Sequence, residues 1–288
     1  MNRILITGAF GQLGTSLRNI LSDQSILSAG RMIPIKEKNG CTVLDITELN
    51  QVRETIALFQ PDVIVHLAAM TDVDGCERDP EMAFDINVRG TENLLDNFKG
   101  RFIYISTDYV FDGNEGPYTE NDEVNPISVY GRTKFYGEDL VKQSDANWVI
   151  LRSNVVFSFN ERTKASFMDW VVDSLKNRQS ITVVDDQWNN PTWTVDLARI
   201  ISRIMGNEIQ GLYHYGGRDL LNRFAFAEMI AETFKLDRTL IEPIDTASLN
   251  QLAKRPLKSG LCTEKIEIDL SVEALPLQKA LNEIYSIS

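Results

Sequence analysis

The chain has 288 residues, of which 43% are hydrophobic and 24% charged, and its formal net charge is −12. This length allows a sizeable core in one large domain or two smaller ones, and the acidic balance argues against nucleic acid or an anionic membrane as the main partner. Three widely spaced cysteines and two histidines argue against a disulfide framework and a structural zinc site, and no metal is expected.

Short apolar runs alternate with helical periodicity through the first half of the chain. Strands are predicted at RILITG (3–8), MIPI (32–35), DVIVHLAA (62–69), RFIYIST (101–107) and WVILRS (148–153). Helices are predicted from about Gln12 to Leu21, over 51–60, over 80–98 and from Tyr130 onward. Strands that alternate with helices favour a parallel sheet with helices on both faces, and so a doubly wound α/β fold of the Rossmann type.

The pattern becomes irregular after Arg152. The polar stretches DDQWNNPTW (185–193) and GGRDLLNRF (216–224) are typical of binding loops or of a smaller, partly helical domain. We predict an NAD(P)-binding Rossmann domain over residues 1–152, with residues 192–216 packing back on it. A substrate-binding domain is predicted from residues 153–191 and 217–288.

The first predicted strand runs into a glycine-rich turn, TGAFGQLG, which places Gly8, Gly11 and Gly14 at the opening of a helix. Such glycines allow a tight turn, close approach of the backbone to phosphate and close packing of helix on strand. The helix N-terminus also offers free N–H groups to a pyrophosphate. The turn therefore predicts a dinucleotide site, with Gln12 and Leu13 as further members of the loop.

SVYGRTKFYGE (128–138) places Tyr130 four residues before Lys134. Residues four apart on a helix share a face, so the phenol and the ammonium could act on one proton, although the spacing alone equally fits a solvated helix face. Ser106 and Thr107 end the preceding strand. The G-x-x-G-x-x-G turn, the Ser/Thr pair and Y-x-x-x-K occur in the order found in the short-chain dehydrogenase/reductase superfamily, which this chain resembles.

Further segments narrow the resemblance: ISTDYVFDG (105–113), VYGRTKFYGE (129–138), DDQWNNPTWTVDLA (185–198) and KRPLKSGL (254–261). In this order they resemble the dTDP-4-dehydrorhamnose reductase family over nearly the whole chain. The resemblance implies NADPH-dependent reduction of a nucleotide-linked 4-keto-6-deoxy sugar in deoxysugar and polysaccharide biosynthesis. It further implies that Tyr130 donates the proton, that Lys134 stabilises the phenolate and holds the nicotinamide ribose, and that Thr107 bonds the substrate carbonyl oxygen.

Further cofactor contacts follow from positions in the family motifs. The resemblance implies that Asp45 meets the adenine, with Ile46 beside it. It also implies that the backbone of Ala68, Ala69 and Met70 lines the nicotinamide side of the site.

The choice between NAD and NADP depends on the charges that follow the second strand. An acidic residue about 20 positions after the glycines holds the ribose of NAD, whereas a cation suits the 2′-phosphate of NADP. PIKEKNG offers Lys36 and Lys38, with Arg31 upstream, although lysines at a strand end are also commonly just solvated. We therefore expect NADPH, with NADH as the alternative.

The substrate side contains both matches to the family and one departure from it. The resemblance implies that Asp108 contacts the sugar. Lys254 and Arg255 are candidates for the nucleotide diphosphate, because arginine offers a bidentate fork to phosphate, with a surface charge pair as the alternative. Val155, in RSNV, stands where the family has a Trp that packs on the sugar ring, so the identity of the sugar stays open.

Three functions other than reduction occur on similar scaffolds. Dehydratases on this scaffold follow the Thr with Asp-Glu, whereas this chain has Asp108 and then Tyr109, which disfavours dehydration. A non-catalytic NADP-binding regulatory subunit and a sugar-nucleotide epimerase remain alternatives.

Asn87 either braces the active-site helix or takes part in a proton relay. His66 and His214 lie in apolar strands and are expected to be satisfied core residues.

The expected partner is a nucleotide sugar, with no nucleic acid and no membrane. The N-terminal segment lacks the long apolar stretch of a signal peptide, and the sequence has no run of 18 or more apolar residues, so a cytoplasmic protein is expected. A homodimer is an open alternative to a monomer.

Overall fold

The computed structural model describes residues 2–37, 39–159 and 166–288. The strands in chain order are β1 (Arg3–Thr7), β2 (Ser25–Gly30), β3 (Cys41–Val43), β4 (Val63–His66), β5 (Arg101–Thr107), β6 (Asn147–Ser153), β7 (Val156–Phe157), β8 (Ile181–Val184), β9 (Trp188–Asn189), β10 (Thr192–Trp193), β11 (Gly211–Tyr215), β12 (Leu221–Asn222) and β13 (Ile241–Ile244). The helices are α1 (Gln12–Ile20), α2 (Leu49–Phe59), α3 (Val73–Arg78), α4 (Pro80–Phe84), α5 (Gly90–Asp96), α6 (Val129–Gln143), α7 (Phe167–Lys176), α8 (Thr194–Gly206), α9 (Arg223–Thr233), α10 (Glu264–Leu270) and α11 (Leu277–Ile287). A π-helical turn, Asp85–Arg89, joins α4 to α5.

The main sheet has seven strands in the order β11-β6-β5-β4-β1-β2-β3, and all neighbours are parallel. The chain winds outward from β1 in one direction to β3 and then returns to build β4, β5 and β6 on the other side. The strand order therefore reverses between β1 and β4, where open α/β sheets bind ligands beyond the strand ends. This arrangement confirms the predicted doubly wound Rossmann-type fold.

Both faces of this sheet are covered by helices. On one face Leu17 of α1 and Ile201 of α8 pack on alternate residues of the strands, and on the other face Val52 of α2, Leu94 of α5 and Val141 of α6 do the same. Because each central strand is buried on both sides, its sequence is a continuous apolar run instead of an alternating one. The apolar run RFIYIST therefore predicts a strand with the bounds that β5 has in the structure, Arg101–Thr107.

The predicted strand over MIPI (32–35) is wrong. The second strand is β2, Ser25–Gly30, which pairs with β1 from Arg3 to Thr7. Met32 and Ile35 are instead 83% and 92% exposed, and Pro34 between them has no N–H to donate to a ladder. The first residue after the strand is consequently Arg31, whereas Lys36 lies six positions beyond the strand end.

A second core lies outside the main sheet. It joins α7, α9 and α11 to the short strand pairs β10-β7, β13-β8 and β12-β9 through residues such as Phe157, Val171 and Phe226. The helix α10 contributes Ile266 and Leu270 to the core of the main sheet instead. We propose that the two cores mark two domains, with α8, β11 and α10 on the dinucleotide side. Among the described residues, no helix is long and apolar enough to cross a membrane.

Candidate active site

A cleft of about 610 Å³ opens at the carboxyl ends of the central strands. Much of its wall is formed by the last residues of five strands and those that follow them, namely 7–8 at the end of β1, 30–32 at β2, 67–69 after β4, 105–109 at β5 and 153–156 at β6. Tyr130 and Lys134 of α6 complete the wall. The cleft therefore lies at the point where the strand order reverses.

The glycine-rich turn fits the pyrophosphate of a dinucleotide. Gly8 has a φ of +68°, and a Cβ there would lie 2.7 Å from the backbone N of Ala68. A Cβ on Gly14 would lie 2.6 Å from the carbonyl oxygen of Gly8, so this position must also lack a side chain. A Cβ on Gly11 would approach only that same carbonyl, at 3.5 Å. No side chain caps the N-terminus of α1, which leaves its first N–H groups for an anion.

The structure places most of the predicted cofactor residues on the cleft wall. They are Gly8, Gly11, Gln12, Leu13, Gly14, Asp45, Ile46, Ala68 and Ala69. Met70 is not among them, and its backbone N–H and C=O bond the side-chain amide of Asn87 at 2.8 and 3.2 Å. Lys36 is exposed on the loop after β2 and does not line the cleft, whereas Arg31 does. Lys38 lies outside the described residues.

Tyr130 occupies the first turn of α6. The hydroxyl of Ser128, at the N-cap of this helix, accepts a hydrogen bond from the N–H of Gly131 at 3.1 Å, which fixes where the helix begins. Burial raises the pKa of the Tyr130 phenol above its usual value; a hydrogen bond with the Thr107 hydroxyl lowers it and the Asp108 carboxylate raises it further. A phenol in this setting needs a nearby cation to release its proton near neutral pH.

Lys134 supplies a cation one helical turn later. Its side chain is only 3% exposed, and burial lowers the pKa of its ammonium to about 7, although Glu138 opposes this effect. The Nζ atom lies 4.0 Å from the centre of the Tyr104 ring. Burial therefore makes the ammonium of Lys134 easier to deprotonate than that of an exposed lysine.

The two hydroxyl residues at the end of β5 have different surroundings. Ser106 Oγ donates to Glu138 Oε1 at 2.6 Å. Thr107 Oγ1 donates to Asp108 Oδ1 at 3.1 Å and accepts from the backbone N–H of Tyr109 at 3.2 Å. Of these two residues, Thr107 is the one whose hydroxyl forms a hydrogen bond that lowers the pKa of Tyr130.

Asp108 is buried directly after β5. Its Oδ2 atom accepts a hydrogen bond from Ser259 Oγ at 2.5 Å, and Ser259 lies 151 positions later in the chain. Burial raises the pKa of this carboxyl to about 6, although the hydrogen bonds from Ser259 and Thr107 oppose the rise. Asp108 can therefore accept hydrogen bonds from hydroxyl groups in the cleft. Nothing in the local sequence indicates its pairing with Ser259.

The structure does not bring Arg255 to the cleft wall. Its Nη1 atom donates to Asp74 Oδ1 and to the carbonyl oxygen of Ala253, both at 2.8 Å, and its side chain is only 10% exposed. The hydrogen bond from Arg255 holds the pKa of Asp74 below its usual value. This ion pair joins the segment that contains Arg255 to α3 and agrees with the charge-pair alternative, while the diphosphate contact stays a prediction.

Val155 lines the cleft with an unusual backbone. Its φ is +41°, a left-handed conformation that is rare for a β-branched residue. The carbonyl oxygen of Val155 accepts a hydrogen bond from Thr192 N at 3.1 Å, next to the β10-β7 pair, which holds it in place. Strained positions of this kind cluster at functional sites. The sequence contains no signal for this strain.

Asn87 braces the active-site helix. It lies in the π-helical turn, is 1% exposed, and donates from Nδ2 to Thr133 Oγ1 of α6 at 2.9 Å. Asn87 Oδ1 also accepts a hydrogen bond from the N–H of Met70, and Nδ2 donates to the carbonyl oxygen of Met70. Because donor and acceptor atoms of the amide are engaged within the protein, the bracing role fits the geometry better than a proton relay.

Both histidines are satisfied core residues, as predicted. His66 Nδ1 lies 2.7 Å from Thr7 Oγ1 and its Nε2 lies 3.0 Å from Thr91 Oγ1. His214 Nδ1 lies 3.1 Å from the carbonyl oxygen of Tyr118. Burial lowers the pKa of each imidazole to about 3, so both rings are neutral.

Comparison with known proteins agrees with this geometry. A family model described as RmlD substrate binding domain matches residues 1–287. The chain is 34% identical to a dTDP-4-dehydrorhamnose reductase of Aggregatibacter actinomycetemcomitans, with 99% of this chain and 98% of that protein covered. It is 33% identical to methionine adenosyltransferase 2 subunit beta of Danio rerio, with 98% and 89% covered.

Solved structures show the same relationship. A dTDP-4-dehydrorhamnose reductase from Bacillus anthracis, in complex with NADP, superposes with a TM-score of 0.89 at 28% identity over 99% of both chains. A dTDP-4-dehydrorhamnose reductase from Clostridium acetobutylicum superposes with a TM-score of 0.88 at 32% identity, again over 99% of both chains. The similarity extends over the whole chain in sequence and in structure, and the chain therefore belongs to the dTDP-4-dehydrorhamnose reductase family of extended short-chain dehydrogenases/reductases.

Proposed function

We propose that this protein uses NADPH to reduce the keto group of a nucleotide-linked 4-keto-6-deoxy sugar. The observation that carries the proposal is that Thr107, Tyr130 and Lys134 all line the cleft that the glycine-rich turn also lines. The dTDP-4-dehydrorhamnose reductases that resemble the chain support the same activity. The proposal places the protein in deoxysugar biosynthesis in the cytoplasm.

The cleft has the donors that the cofactor needs along its length. The turn from Gly8 to Gly14 would hold the pyrophosphate on backbone N–H groups, and Asp45 and Ile46 would meet the adenine end. Arg31, the first residue after β2, would read the 2′-phosphate that distinguishes NADP from NAD. The NADP complex of the Bacillus anthracis relative supports this choice. When bound, the reduced nicotinamide supplies a hydride to the carbonyl carbon.

The side chains of the protein would handle the oxygen and its proton. Thr107 would donate a hydrogen bond to the carbonyl oxygen and hold it close to Tyr130. Tyr130 would then give its phenolic proton to that oxygen as negative charge develops there, so that C=O becomes CH–OH. Lys134 would stabilise the resulting phenolate as a cation one helical turn away, since a nearby positive charge favours the charged form of a phenol.

Two residues would face the sugar. Asp108 would accept hydrogen bonds from sugar hydroxyl groups, and its second oxygen would stay anchored to Ser259. Val155, at its strained position after β6, would contact the sugar ring from the wall of the cleft. The small size of valine there leaves the identity of the sugar to be measured.

A second candidate is favoured by one observation, the 33% identity to methionine adenosyltransferase 2 subunit beta. On that reading the chain would bind NADP as a subunit of another enzyme and have no turnover of its own. The complete set of Thr107, Tyr130 and Lys134 in the cleft favours the reductase.

A single assay separates the two candidates. The protein is incubated with NADPH and, in turn, dTDP-, GDP- and UDP-linked 4-keto-6-deoxy sugars, and the loss of NADPH absorbance is followed. The reductase proposal expects turnover with at least one of these sugars, first with dTDP-4-keto-6-deoxymannose-type sugars. Tight NADPH binding without reduction of any of them would reject it in favour of the subunit.

A further inference from the structure

The ammonium of Lys134 has an unusual environment for a buried cation. Within residues 2–37, 39–159 and 166–288, no side-chain or backbone atom accepts a hydrogen bond from its Nζ. The face of the Tyr104 ring lies against it instead, with the ring centre 4.0 Å from Nζ. A cation within about 6 Å of an aromatic centre is attracted to the negative face of the ring, and the attraction is strongest where water is excluded.

Tyr104 is built into the sheet directly under α6. It is fully buried on β5, and its hydroxyl donates to the carbonyl oxygen of Lys134 at 3.3 Å, so a single side chain contacts both the backbone and the ammonium of the lysine. A Cβ on Gly137 would lie 2.2 Å from the Tyr104 hydroxyl oxygen, so glycine at that position lets the helix approach the ring. Burial raises the pKa of Tyr104, which keeps the ring neutral.

The other ionisable groups near Lys134 are less suited to hold its charge. On its own helix, Tyr130 is a neutral phenol, and Glu138 is already engaged by Arg152 of β6 and by Ser106 of β5. On β4, His66 is neutral. The ring of Tyr104 contacts the ammonium directly and, unlike Glu138, is not engaged by another charged group. It is therefore the group best placed to hold the ammonium.

We propose that Tyr104 is the positioning residue of this site, holding the ammonium of Lys134 against its ring and keeping it cationic beside Tyr130. The inference rests on the proposed reductase function for its catalytic consequence. Loss of the ring should leave Lys134 deprotonated at a lower pH, and the phenolate of Tyr130 would then lose its stabilising charge.

The test replaces the electrostatics of the ring without changing its shape. Tyr104→Phe is compared with the same position carrying trifluorophenylalanine, which keeps the size of the ring but removes the negative potential of its face. Two quantities are measured as a function of pH: kcat/KM, and the rate at which an amine-directed acylating reagent labels Lys134, read by mass spectrometry. We expect the alkaline limb of the rate profile and the midpoint of labelling both to move down by about one pH unit on fluorination.

A matched control comes from the same strand. Phe102 is fully buried on the same face of β5 but does not contact Lys134, and Phe102→Leu should leave the labelling midpoint in place, whereas Tyr104→Leu should lower it. An unchanged labelling midpoint in the fluorinated protein would overturn the inference, whatever happens to the rate. A lowered midpoint in a protein that reduces no sugar would support the role of Tyr104 and reject the proposed function, so the two failures are distinguishable.

Discussion

Glu138 of α6 and Arg152 of β6 form a bidentate ion pair behind the cleft, with Nε donating to Oε1 at 2.8 Å and Nη2 donating to Oε2 at 2.6 Å. The two side chains are 0% and 2% exposed. Ser106 adds a hydrogen bond to Oε1, and His214 Nε2 lies 3.4 Å from Nη1 of the arginine. This network fixes the helix that carries the proposed proton donor onto the sheet.

Removal of one partner of this ion pair should lower the stability of the folded protein. Arg152→Met leaves the Glu138 carboxylate buried with only the partly exposed Lys142, 3.5 Å away, as a counter-charge, and we expect the free energy of unfolding, measured in urea, to fall by about 3 kcal/mol. Adding Glu138→Gln to that variant should recover part of the loss. The exposed pair between Lys99 and Asp145 offers a control, since Lys99→Met should change stability little. Equal effects of Arg152→Met and Lys99→Met would contradict the assignment.

The proposed proton donor can be tested by removing one oxygen atom. Tyr130→Phe should reduce turnover by about 10²–10⁴, the usual contribution of a general acid, and should leave the Kd for NADPH nearly unchanged. Tyr136 is a tyrosine on the same helix that is 47% exposed, and Tyr136→Phe should keep normal turnover. Near-normal turnover in Tyr130→Phe would rule out this residue as the donor.

Burial of Lys134 predicts how stability depends on pH. The pKa of its ammonium is about 7 in the folded protein and 10.5 when unperturbed, so between these values the unfolded state binds more protons and stability rises with pH. Below about pH 7 the full cost of burying the charge is present. Lys134→Met should therefore abolish turnover yet stabilise the protein by about 1–2 kcal/mol at about pH 6.

The advantage of Lys134→Met should shrink as the pH rises toward about 9, because the wild-type lysine then becomes neutral in the folded state. Urea denaturation of both proteins at the two pH values measures this difference. An advantage that grows with pH would show that the folded-state pKa of Lys134 is not lowered.

Cofactor choice should depend on Arg31 and not on Lys36. Arg31→Ala removes the cation that lines the cleft after β2, and a lost charge-assisted hydrogen bond to a phosphate should weaken NADPH by about 10- to 100-fold while NADH changes little. Lys36→Ala is the matched control, because Lys36 is exposed away from the cleft wall. Fluorescence titration with both cofactors measures the effect. Equal weakening of NADPH and NADH by Arg31→Ala would contradict the role.

The sugar contact at Val155 can be tested by enlarging the side chain. Val155→Trp places at this position the residue that the family resemblance implies, and the added apolar contact, worth about 1–2 kcal/mol at roughly 25 cal/mol per Å², should lower KM for the preferred sugar about tenfold. Steady-state kinetics with the dTDP-, GDP- and UDP-linked sugars would show whether one sugar is favoured. An unchanged KM for all of them would indicate that Val155 does not touch the sugar.

The amino-acid sequence by itself determined the fold class, the glycine-rich turn and the placement of Tyr130 and Lys134 four residues apart on α6. Each of these depends on neighbours close in the chain. The spacing of glycines sets the turn, the apolar runs of doubly buried strands set the sheet, and two residues four apart on a helix share a face. Short-range patterns of this kind survive in the sequence whatever the rest of the chain does.

Only the tertiary structure decided which charges and hydroxyl groups meet. Arg255 pairs with Asp74, 181 positions away, and Ser259 bonds Asp108, 151 positions away. Both contacts form because distant segments of the chain pack together, so local sequence could not predict either of them. The predicted second strand was misplaced because an apolar run forms a strand only when a neighbouring strand pairs with it, and β1 pairs with residues 25–29, not with 32–35. Burial and strand pairing are properties of the assembled sheet. A local sequence pattern indicates which segments could form strands, but it does not determine which of them pair.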